Sequence, residues 1–295
     1  MSDVTPIERF EVLFDHGESS PVADEALAPY GNLGFPAPPA DRPLIYANFV
    51  QSLDGIVSLL GKYASGGEIS QSRADRWVMD LLRAYADGVL MGMNTLRVER
   101  RGPQSRGIVF QVVEPELLEL RRKLGKGRQR NIFVSHGHDL DLSQWKVFDG
   151  DLVDAVIVTS PAGAVRLSTQ EARPHVTVVP AGEDESIDLR IAVQKLRKHL
   201  GVEYLLCEGG PSLYGTLAHA DLIDEKFLTV APVETGQIVP GEQERLPKEE
   251  GISPLMRPTV FGGPGFMRET MTHWRWLSCR KSGDHQFHRF RRVRH

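Results

Sequence analysis

The stretch Tyr204-Leu205-Leu206-Cys207-Glu208-Gly209-Gly210-Pro211 joins an apolar run to an acid, two glycines and a proline. A short apolar run bounded by turn residues predicts a buried strand, and glycines followed by proline predict a tight turn into a helix, here over residues 212–220. Upstream, apolar residues with helical spacing run from Leu189 to Leu200 and stop at Gly201, which predicts a helix with a glycine cap. A helix followed by a buried strand indicates a parallel crossover, and therefore an α/β fold.

Other segments extend this pattern into a whole sheet. Short apolar runs that stop at glycine or small hydroxyl residues predict further buried strands; they cover residues 44–52, 87–92, 131–135, 155–160, 176–180 and 225–231. Ser72 followed by Asp75 has the capping-box spacing of a helix start. Residues 274–279 and 285–293, with a turn at Ser282-Gly283-Asp284, predict a closing antiparallel pair. We therefore expect a mostly parallel central sheet flanked by helices, with a C-terminal antiparallel hairpin.

Proline content divides the chain into two parts. Prolines recur among glycine and alanine between residues 17 and 43, which predicts an extended lead-in rather than a packed element. We therefore expect a Pro-rich N-terminal extension over residues 1–41 and a single domain over residues 42–295. No internal repeat interrupts the second part.

Composition and charge argue against several classes of protein. With a formal net charge of -4 over 295 residues, the chain has no global positive field for nucleic acid or an anionic membrane. Cys207 and Cys279 do not provide a disulfide scaffold or a structural zinc site, and His136-Gly137-His138-Asp139 has too few ligands for a metal centre. Residues 1–14 lack the pattern of a signal peptide. We expect a cytoplasmic protein with no metal and with no nucleic-acid or membrane partner.

Two junctions at which a predicted strand ends in glycine suggest an anion site. At Gly209 and Gly210 the missing Cβ atoms let a diphosphate approach the backbone, and the following helix offers free N–H groups. Gly92 is followed by Asn94 and Thr95, which can hydrogen-bond a phosphate or cap a helix. Alone, the first junction is more often a tight turn and the second a helix cap. Together they predict a dinucleotide across the sheet edge, although the usual G-x-G-x-x-G fingerprint is absent.

Four motifs in this order resemble the reductase domain family of riboflavin biosynthesis. They are Asn48-(x)₃-Ser52-Leu53-Asp54-Gly55, Leu82-Arg83-Ala84-(x)₂-Asp87, Gly92-(x)₂-Thr95 and Glu208-Gly209-Gly210-Pro211-(x)₁₂-Asp224-Glu225. The resemblance runs from about Arg42 to Arg294 and implies a dihydrofolate-reductase-like fold. It also implies a homodimer that transfers a hydride from NADPH to a small phosphorylated substrate, at the ribosyl C1 of 5-amino-6-(5-phosphoribosylamino)uracil.

The resemblance also implies roles for individual residues. It places Asp54 and Glu208 at the reacting centre, and it directs Asn48, Arg83, Arg106 and Glu208 toward the substrate. The residues that it directs toward NADPH are Gly92, Asn94, Thr95, Glu99, Ser135, Gly209, Gly210, Pro211, Ser212 and Leu213. A pair of arginines suits a phosphate through bidentate, charge-assisted hydrogen bonds. Arg97, Arg100 and Arg101 are placed to meet the 2′-phosphate of NADPH.

Simpler interpretations stay open for several of these residues. Asp54 beside Gly55 is, by itself, most often a turn residue, and Arg83 can equally stabilise the C-terminal end of its helix. Glu208 at the end of a buried strand is costly unless it is hydrogen-bonded or faces a ligand. Glu99 stands where the family usually has an aspartate, and the segment around Arg106 departs from the family pattern.

Three functions remain in contention. The first is the riboflavin-type reductase, and the second is a reductase of the same fold that acts on a pterin such as dihydrofolate. The third is a nucleotide-binding protein without catalysis that keeps the glycine junctions. We expect no deaminase domain, because residues 1–41 are too few and contain neither a His-Ala-Glu motif nor paired cysteines.

Overall fold

The computed structural model describes residues 7–60, 66–98, 105–138, 140–239 and 256–294. Its strands are β1 (Glu11–Asp15), β2 (Leu44–Gln51), β3 (Gly88–Gly92), β4 (Arg130–Val134), β5 (Asp154–Thr159), β6 (Val176–Pro180), β7 (Tyr204–Gly209), β8 (Glu225–Val230), β9 (His273–Ser282) and β10 (His285–Val293). Its α-helices are α1 (Gly67–Ser70), α2 (Arg73–Tyr85), α3 (Met93–Val98), α4 (Pro115–Lys123), α5 (Pro161–Ser168), α6 (Leu189–Leu200) and α7 (Pro211–His219).

Within these residues the strands form one sheet, in the order β1-β9-β10-β8-β2-β7-β3-β4-β5-β6. The strands from β8 to β6 in this order run parallel to their neighbours. The pairs β1/β9, β9/β10 and β10/β8 are antiparallel. The predicted α/β class, with its mostly parallel sheet and C-terminal antiparallel hairpin, is confirmed.

Each face of the sheet has its own core. Tyr46, Leu206 and Phe227 point to one side, which we call the α2 face because α2 covers it with Trp77 and Leu81. The opposite side, the α7 face, is covered by α6 and α7, and its core includes Ile45, Leu196, Leu205, Cys207 and Leu217. Because the central strands are buried on both faces, their sequences are continuous apolar runs rather than alternating ones.

The described part of the N-terminal extension packs against the sheet. β1 pairs with β9 at one sheet edge, and Phe10, Tyr30 and Leu33 are at most 2% exposed. The buried Arg280 guanidinium donates a hydrogen bond to the Tyr30 carbonyl. The expected unpacked lead-in is therefore wrong, because aromatic side chains between the prolines reach the core and a buried arginine needs backbone acceptors. The boundary between residues 41 and 42 stays a prediction.

Several predicted element ends are confirmed by their capping geometry. The Ser72 Oγ accepts a hydrogen bond from the Asp75 backbone N–H at the start of α2. Gly201 follows α6 with a φ of 63°, the left-handed conformation of a glycine cap. Ser282 and His285 face each other across the predicted hairpin turn. In the part of the chain that the structure describes, no helix has the length and apolar character needed to span a bilayer.

Candidate active site

The two predicted glycine junctions lie side by side at the carboxyl edge of the sheet. Gly92 ends β3 and Gly209 ends β7, and these two strands are parallel neighbours. A Cβ atom added at Gly210 would lie 3.6 Å from the Thr95 hydroxyl oxygen, and the peptide between Gly209 and Gly210 is cis. Gly209, Gly210 and Thr95 therefore meet at this edge, and we call these three residues the glycine notch.

The first turn of α7 supplies backbone donors at this notch. Gly210 precedes the helix in an extended conformation, and Pro211 occupies the first helical position, where a missing N–H removes no helical hydrogen bond. The Tyr214 N–H donates to the Gly210 carbonyl, so the N–H groups of Ser212 and Leu213 precede the helical ladder. A helix N-terminus of this kind suits an anion such as a diphosphate.

A second glycine pair, which sequence reasoning missed, lies against the same turn. The Gly262 N–H donates to the Pro211 carbonyl at 3.0 Å. A Cβ atom at Gly262 would stand 2.8 Å from the Ser212 nitrogen, and one at Gly215 would stand 1.9 Å from the Gly262 oxygen. Both positions therefore require glycine for close approach of the backbones. The available signal was a second Gly-Gly-Pro at residues 262–264.

Glu208 points from β7 onto the α2 face and is paired there with Arg83. The Arg83 Nε and Nη2 donate to the two Glu208 oxygens at 2.7 Å each, and both side chains are 7% exposed. Arg83 Nη1 also donates to the Gln111 carbonyl at 3.1 Å. Burial acts to lower the pKa of Arg83, but the charge of Glu208 outweighs it and the pKa is raised. The guanidinium is therefore held in a buried ion pair, and the proposed phosphate contact of Arg83 stays a prediction.

Asp54 lies in the turn after β2 and is exposed. Its carboxylate accepts hydrogen bonds from the Ser52 Oγ at 2.5 Å and from the Gly236 N–H at 2.7 Å. The Ser52 hydrogen bond is the main cause of a lowered pKa for Asp54. These contacts are those of an ionised residue that ties one turn to the loop at Thr235 and Gly236. A role for Asp54 at the reacting centre stays a prediction.

Arg106 has a different set of contacts from Arg83. Its side chain is 46% exposed, and its Nη1 and Nη2 donate to the two Asp149 oxygens at 2.7 Å each. A further hydrogen bond runs from Nη2 to the Ser143 carbonyl. The guanidinium is therefore held in an ion pair on the flank of the sheet, and its substrate contact stays a prediction.

The remaining predicted cofactor residues stand at strand ends or near α3. Ser135 follows β4 and is 8% exposed, and its Oγ accepts a hydrogen bond from the Gly137 N–H. Asn94 is exposed on α3. Glu99, like Arg100 and Arg101, lies outside the described residues. A cleft of about 680 Å³ beside residues 140–144 and 170–173 includes none of the predicted residues, and we assign it no role.

A second buried carboxyl group lies on the α2 face, and sequence reasoning assigned it only a helix-capping role. Burial raises the pKa of the Asp75 carboxyl, although the side chains of Thr229 and Ser70 beside it act in the opposite direction. Thr229 is 2% exposed and Ser70 is 3% exposed. The sequence carries no local signal for this group, because β8 and α1 bring its members together from distant parts of the chain.

Known proteins share these features with the chain. The family described as RibD C-terminal domain matches residues 43–284. A curated relative from Methanothermobacter thermautotrophicus, named 2,5-diamino-6-ribosylamino-4(3H)-pyrimidinone 5′-phosphate reductase, is 26% identical over 196 residues, which are 66% of this chain and 80% of the relative. A protein of the same name from Archaeoglobus fulgidus is 26% identical over 197 residues, which are 66% of this chain and 83% of the relative.

Solved structures share the fold. The crystal structure of a pyrimidine reductase-like protein from Corynebacterium diphtheriae has a TM-score of 0.61 at 23% identity, and the match covers 86% of this chain and 94% of that one. RibD of Acinetobacter baumannii has a TM-score of 0.58 at 16% identity, and the match covers 86% of this chain and 59% of RibD. The similarity confirms the reductase-type α/β fold that the four sequence motifs implied.

Proposed function

The chain belongs to the RibD C-terminal domain family, whose model matches residues 43–284. From this membership we propose that the protein is a riboflavin-biosynthesis reductase that acts on a phosphoribosylamino-pyrimidine. The reaction is hydride transfer to the ribosyl C1. The observation that supports this proposal best is that the glycine notch lies beside the Glu208–Arg83 pair. The end of β7 contributes Glu208 to the pair and Gly209 to the notch. The alternatives of a pterin reductase and of a non-catalytic nucleotide-binding protein are weaker, because the curated relatives are named as pyrimidinone phosphate reductases.

The glycine notch fits a nicotinamide dinucleotide, and we propose NADPH. Gly209 and Gly210 bring no side chain that would keep a diphosphate from the backbone, and the N–H groups that begin α7 can donate to it. Thr95 places a hydroxyl group on the opposite wall of the notch. When bound, NADPH supplies the hydride, and the chain's own part in the reaction is to position the substrate.

We propose that residues on the α2 face hold the substrate. Asn48 follows Ala47 on β2, and Glu208 follows Cys207, the partner of Ala47 on the neighbouring strand β7. Arg83 fixes the orientation of the Glu208 carboxylate through two hydrogen bonds. A fixed carboxylate and an amide at one strand edge can orient the hydroxyl and amino groups of a ribosylamino substrate.

Two pyrimidines are candidates for the substrate. The sequence resemblance predicts 5-amino-6-(5-phosphoribosylamino)uracil, whereas the names of the archaeal relatives specify a 2,5-diamino-4(3H)-pyrimidinone. The two compounds differ at C2, which carries an oxygen in the uracil and an amino group in the pyrimidinone. We refer to them below as the 2-oxo and the 2-amino substrate.

Turnover with purified protein tests the proposal. We expect loss of NADPH absorbance with at least one of the two pyrimidines and formation of the ribityl product by mass spectrometry, and no turnover of dihydrofolate. NADPH binding without reduction of either pyrimidine would favour the non-catalytic alternative. Equal affinity for NADPH and NADH in a titration would remove the preference for NADPH.

We also propose a cytoplasmic homodimer, in which an aromatic patch forms the contact between copies. Trp276 is 47% exposed, and its ring lies 4.6 Å from that of Phe14 and 5.4 Å from that of His288. Aromatic residues are enriched at protein interfaces, and homodimer interfaces are more apolar than the remaining surface. Light scattering of the purified protein gives the oligomeric state.

A further inference from the structure

The buried Arg83 guanidinium lies between two acids, of which the pair with Glu208 uses only one. Its Nε and Nη2 donate to Glu208 at 2.7 Å each. On the other side, Nη1 lies 3.4 Å from the Oδ1 of Asp80 and donates to the Gln111 carbonyl at 3.1 Å. The side chains of Asp80, Arg83 and Glu208 are each 7% exposed. We call these three residues the acid–arginine–acid row.

One oxygen of Asp80 is anchored to the backbone, which leaves the other for Arg83. Oδ2 accepts hydrogen bonds from the N–H groups of Val113 and Glu114, at 2.8 and 3.1 Å. Asp80 itself lies on α2, one turn before Arg83. The position of the carboxylate is therefore set by a helix and by the backbone that leads into α4, and not by the guanidinium alone.

The backbone that anchors Asp80 is itself fixed by two buried amides. The Asn131 side chain donates to the Phe110 carbonyl at 2.7 Å and accepts from the Phe110 N–H at 2.9 Å. The Gln129 Oε1 accepts from the Val112 N–H at 3.2 Å. Asn131 is 0% exposed and Gln129 is 6% exposed. Both partners of Nη1 are therefore held by one fixed segment of the chain.

The shape of the guanidinium transmits this constraint to Glu208. A guanidinium is planar, and its N–H groups point in fixed directions. Holding Nη1 at Asp80 and at the Gln111 carbonyl therefore also fixes the plane of Nε and Nη2, which donate to Glu208. The orientation of the Glu208 carboxylate at the end of β7 depends in this way on Asp80.

The row contains one acid more than a neutral pair needs. Burial raises the pKa of Asp80 and the charge of Glu208 acts in the same direction, whereas Arg83 and the backbone N–H groups lower it. Among the described residues, Arg83 is the cation within ion-pair distance of either acid. A second buried acid is unfavourable unless other interactions compensate for its burial. The extra acid has a use when Glu208 must keep one orientation and accept hydrogen bonds from a ligand.

We propose that Asp80 is a positioning residue of the reductase site. Acting through Arg83, it holds the Glu208 carboxylate in the orientation that receives the hydroxyl and amino groups of the ribosylamino substrate. The proposal rests on the proposed function, because it concerns the same site. Asp80 itself makes no contact with the substrate, and the backbone donors of α7 that suit the cofactor do not depend on it.

Asp87 provides a matched control at the opposite edge of the sheet. Its Oδ2 accepts from the N–H groups of Glu203 and Tyr204, at 2.8 and 2.9 Å, and its Oδ1 pairs with Lys126 at 2.9 Å. This is the same arrangement of two backbone donors and one cation as at Asp80. Asp87 precedes β3 and therefore lies at the amino edge of the sheet. Asp87→Asn and Asp80→Asn thus disturb similar contacts, but the contacts of Asp87 do not lead to Glu208.

Kinetics of Asp80→Asn and Asp87→Asn test the proposal, with whichever of the 2-oxo and the 2-amino substrate the wild type reduces faster. Asp80→Asn should lower kcat/KM for the pyrimidine about 10- to 100-fold, because a hydrogen bond to a charged group is lost and Glu208 is misplaced. Asp87→Asn should leave this value close to that of wild type. The NADPH dissociation constant, from a fluorescence titration, should be unchanged in both variants. Equal losses of kcat/KM in the two variants, or no loss in Asp80→Asn, would overturn the proposal.

Asp80→Glu separates the effect of charge from the effect of packing. This variant keeps the negative charge but adds a methylene group to a buried site, where overpacking is destabilising. Asp80→Asn keeps the size and removes the charge. We expect a higher kcat/KM for Asp80→Glu than for Asp80→Asn, whichever is the more stable in urea unfolding. A value for Asp80→Glu at or below that of Asp80→Asn would indicate a purely structural role. If Asp80→Asn fails to fold, Asp80→Glu decides alone, and a loss of more than about 10-fold, the smallest effect expected for the lost charge, contradicts the proposal.

The proposed function and the role of Asp80 fail in different ways. If wild type reduces neither pyrimidine, the proposed function is wrong. Calorimetric binding of the two pyrimidines to wild type, Asp80→Asn and Asp87→Asn then decides the role of Asp80. Weaker binding to Asp80→Asn alone supports that role. Binding that is equal in the three proteins, or absent from wild type, excludes it.

Discussion

Glu208 is a carboxylate buried at the end of a strand, where ionisation is costly without a partner. Arg83 provides that partner through two hydrogen bonds of 2.7 Å. From the sequence, the position of Glu208 predicted that it must be hydrogen-bonded or face a ligand. Its partner could not be identified in the same way, because Arg83 comes from the last turn of α2 and both interpretations of that residue were open.

Glu208→Gln should destabilise the protein strongly. The change removes two hydrogen bonds of 2.7 Å from the buried Arg83 guanidinium and leaves it the longer ion pair with Asp80 at 3.4 Å. Loss of one partner of a buried pair costs about 3–5 kcal/mol, and the remaining Asp80 places the expected loss near the lower end. Glu203→Gln is the matched control, because Glu203 forms a half-exposed ion pair with Arg197 and such pairs contribute about 0–1 kcal/mol. Urea unfolding measures the free energy of unfolding of both variants. Equal free energies of unfolding for the two variants would contradict the account of the pair.

Asp75→Asn should alter the pH dependence of stability. The carboxyl pKa is raised by burial in the folded protein, so the contribution of Asp75 is full below the unfolded pKa of about 3.9 and is lost as pH rises through the folded pKa. The melting temperature of the variant relative to wild type should therefore increase from about pH 4 toward neutrality. Asp54→Asn should show the opposite trend, because the pKa of Asp54 is lowered. If the melting temperatures of the two variants relative to wild type changed with pH in the same direction, this prediction would be refuted.

At the scale of elements, one unit consists of β7, the pair Gly209-Gly210 and α7. It presents the Glu208 side chain on the α2 face, and its backbone N–H donors lie in the first turn of α7. Its parts were predictable from local signals, as were α6 and its cap at Gly201. β1 was not predictable, because its pairing with β9 depends on a partner more than two hundred residues away. The close approach of Gly262 to α7 is likewise a tertiary contact.

Gly215→Ala should destabilise the protein although alanine favours helices by about 1 kcal/mol over glycine. The added Cβ would meet the Gly262 carbonyl oxygen at 1.9 Å, and overpacking of this kind costs about 1–3 kcal/mol. NADPH affinity should fall as well, since the loop at Gly262 lies on the first turn of α7. Thr216→Ala, at an exposed position of the same helix, is the control. A variant at 215 that is as stable as wild type would refute the packing argument.

At the scale of the whole molecule, the sheet divides into two halves. α6 and α7 pack on the parallel half, and the antiparallel half carries the aromatic patch of Phe14, Trp276, His288 and Phe290. The sequence predicted this division into parallel and antiparallel strands. It could not predict the patch, because Phe14 belongs to the extension for which no packed element was expected.

Trp276→Glu should shift the protein from homodimer to monomer. A charge at the centre of an aromatic contact is desolvated without a partner, which weakens association. Val165→Glu, at a position 67% exposed on α5, should leave the dimer intact. Light scattering across a concentration series distinguishes the two. Dissociation of both variants, or of neither, would exclude the aromatic patch as the dimer contact.

The central claim is that the glycine notch and the Glu208–Arg83 pair form one reductase site. It is tested most directly by steady-state kinetics of the purified protein with NADPH and each of the two pyrimidines. We predict NADPH oxidation coupled to formation of the ribityl product with at least one of the two pyrimidines. NADPH binding with no reduction of either pyrimidine would contradict the claim.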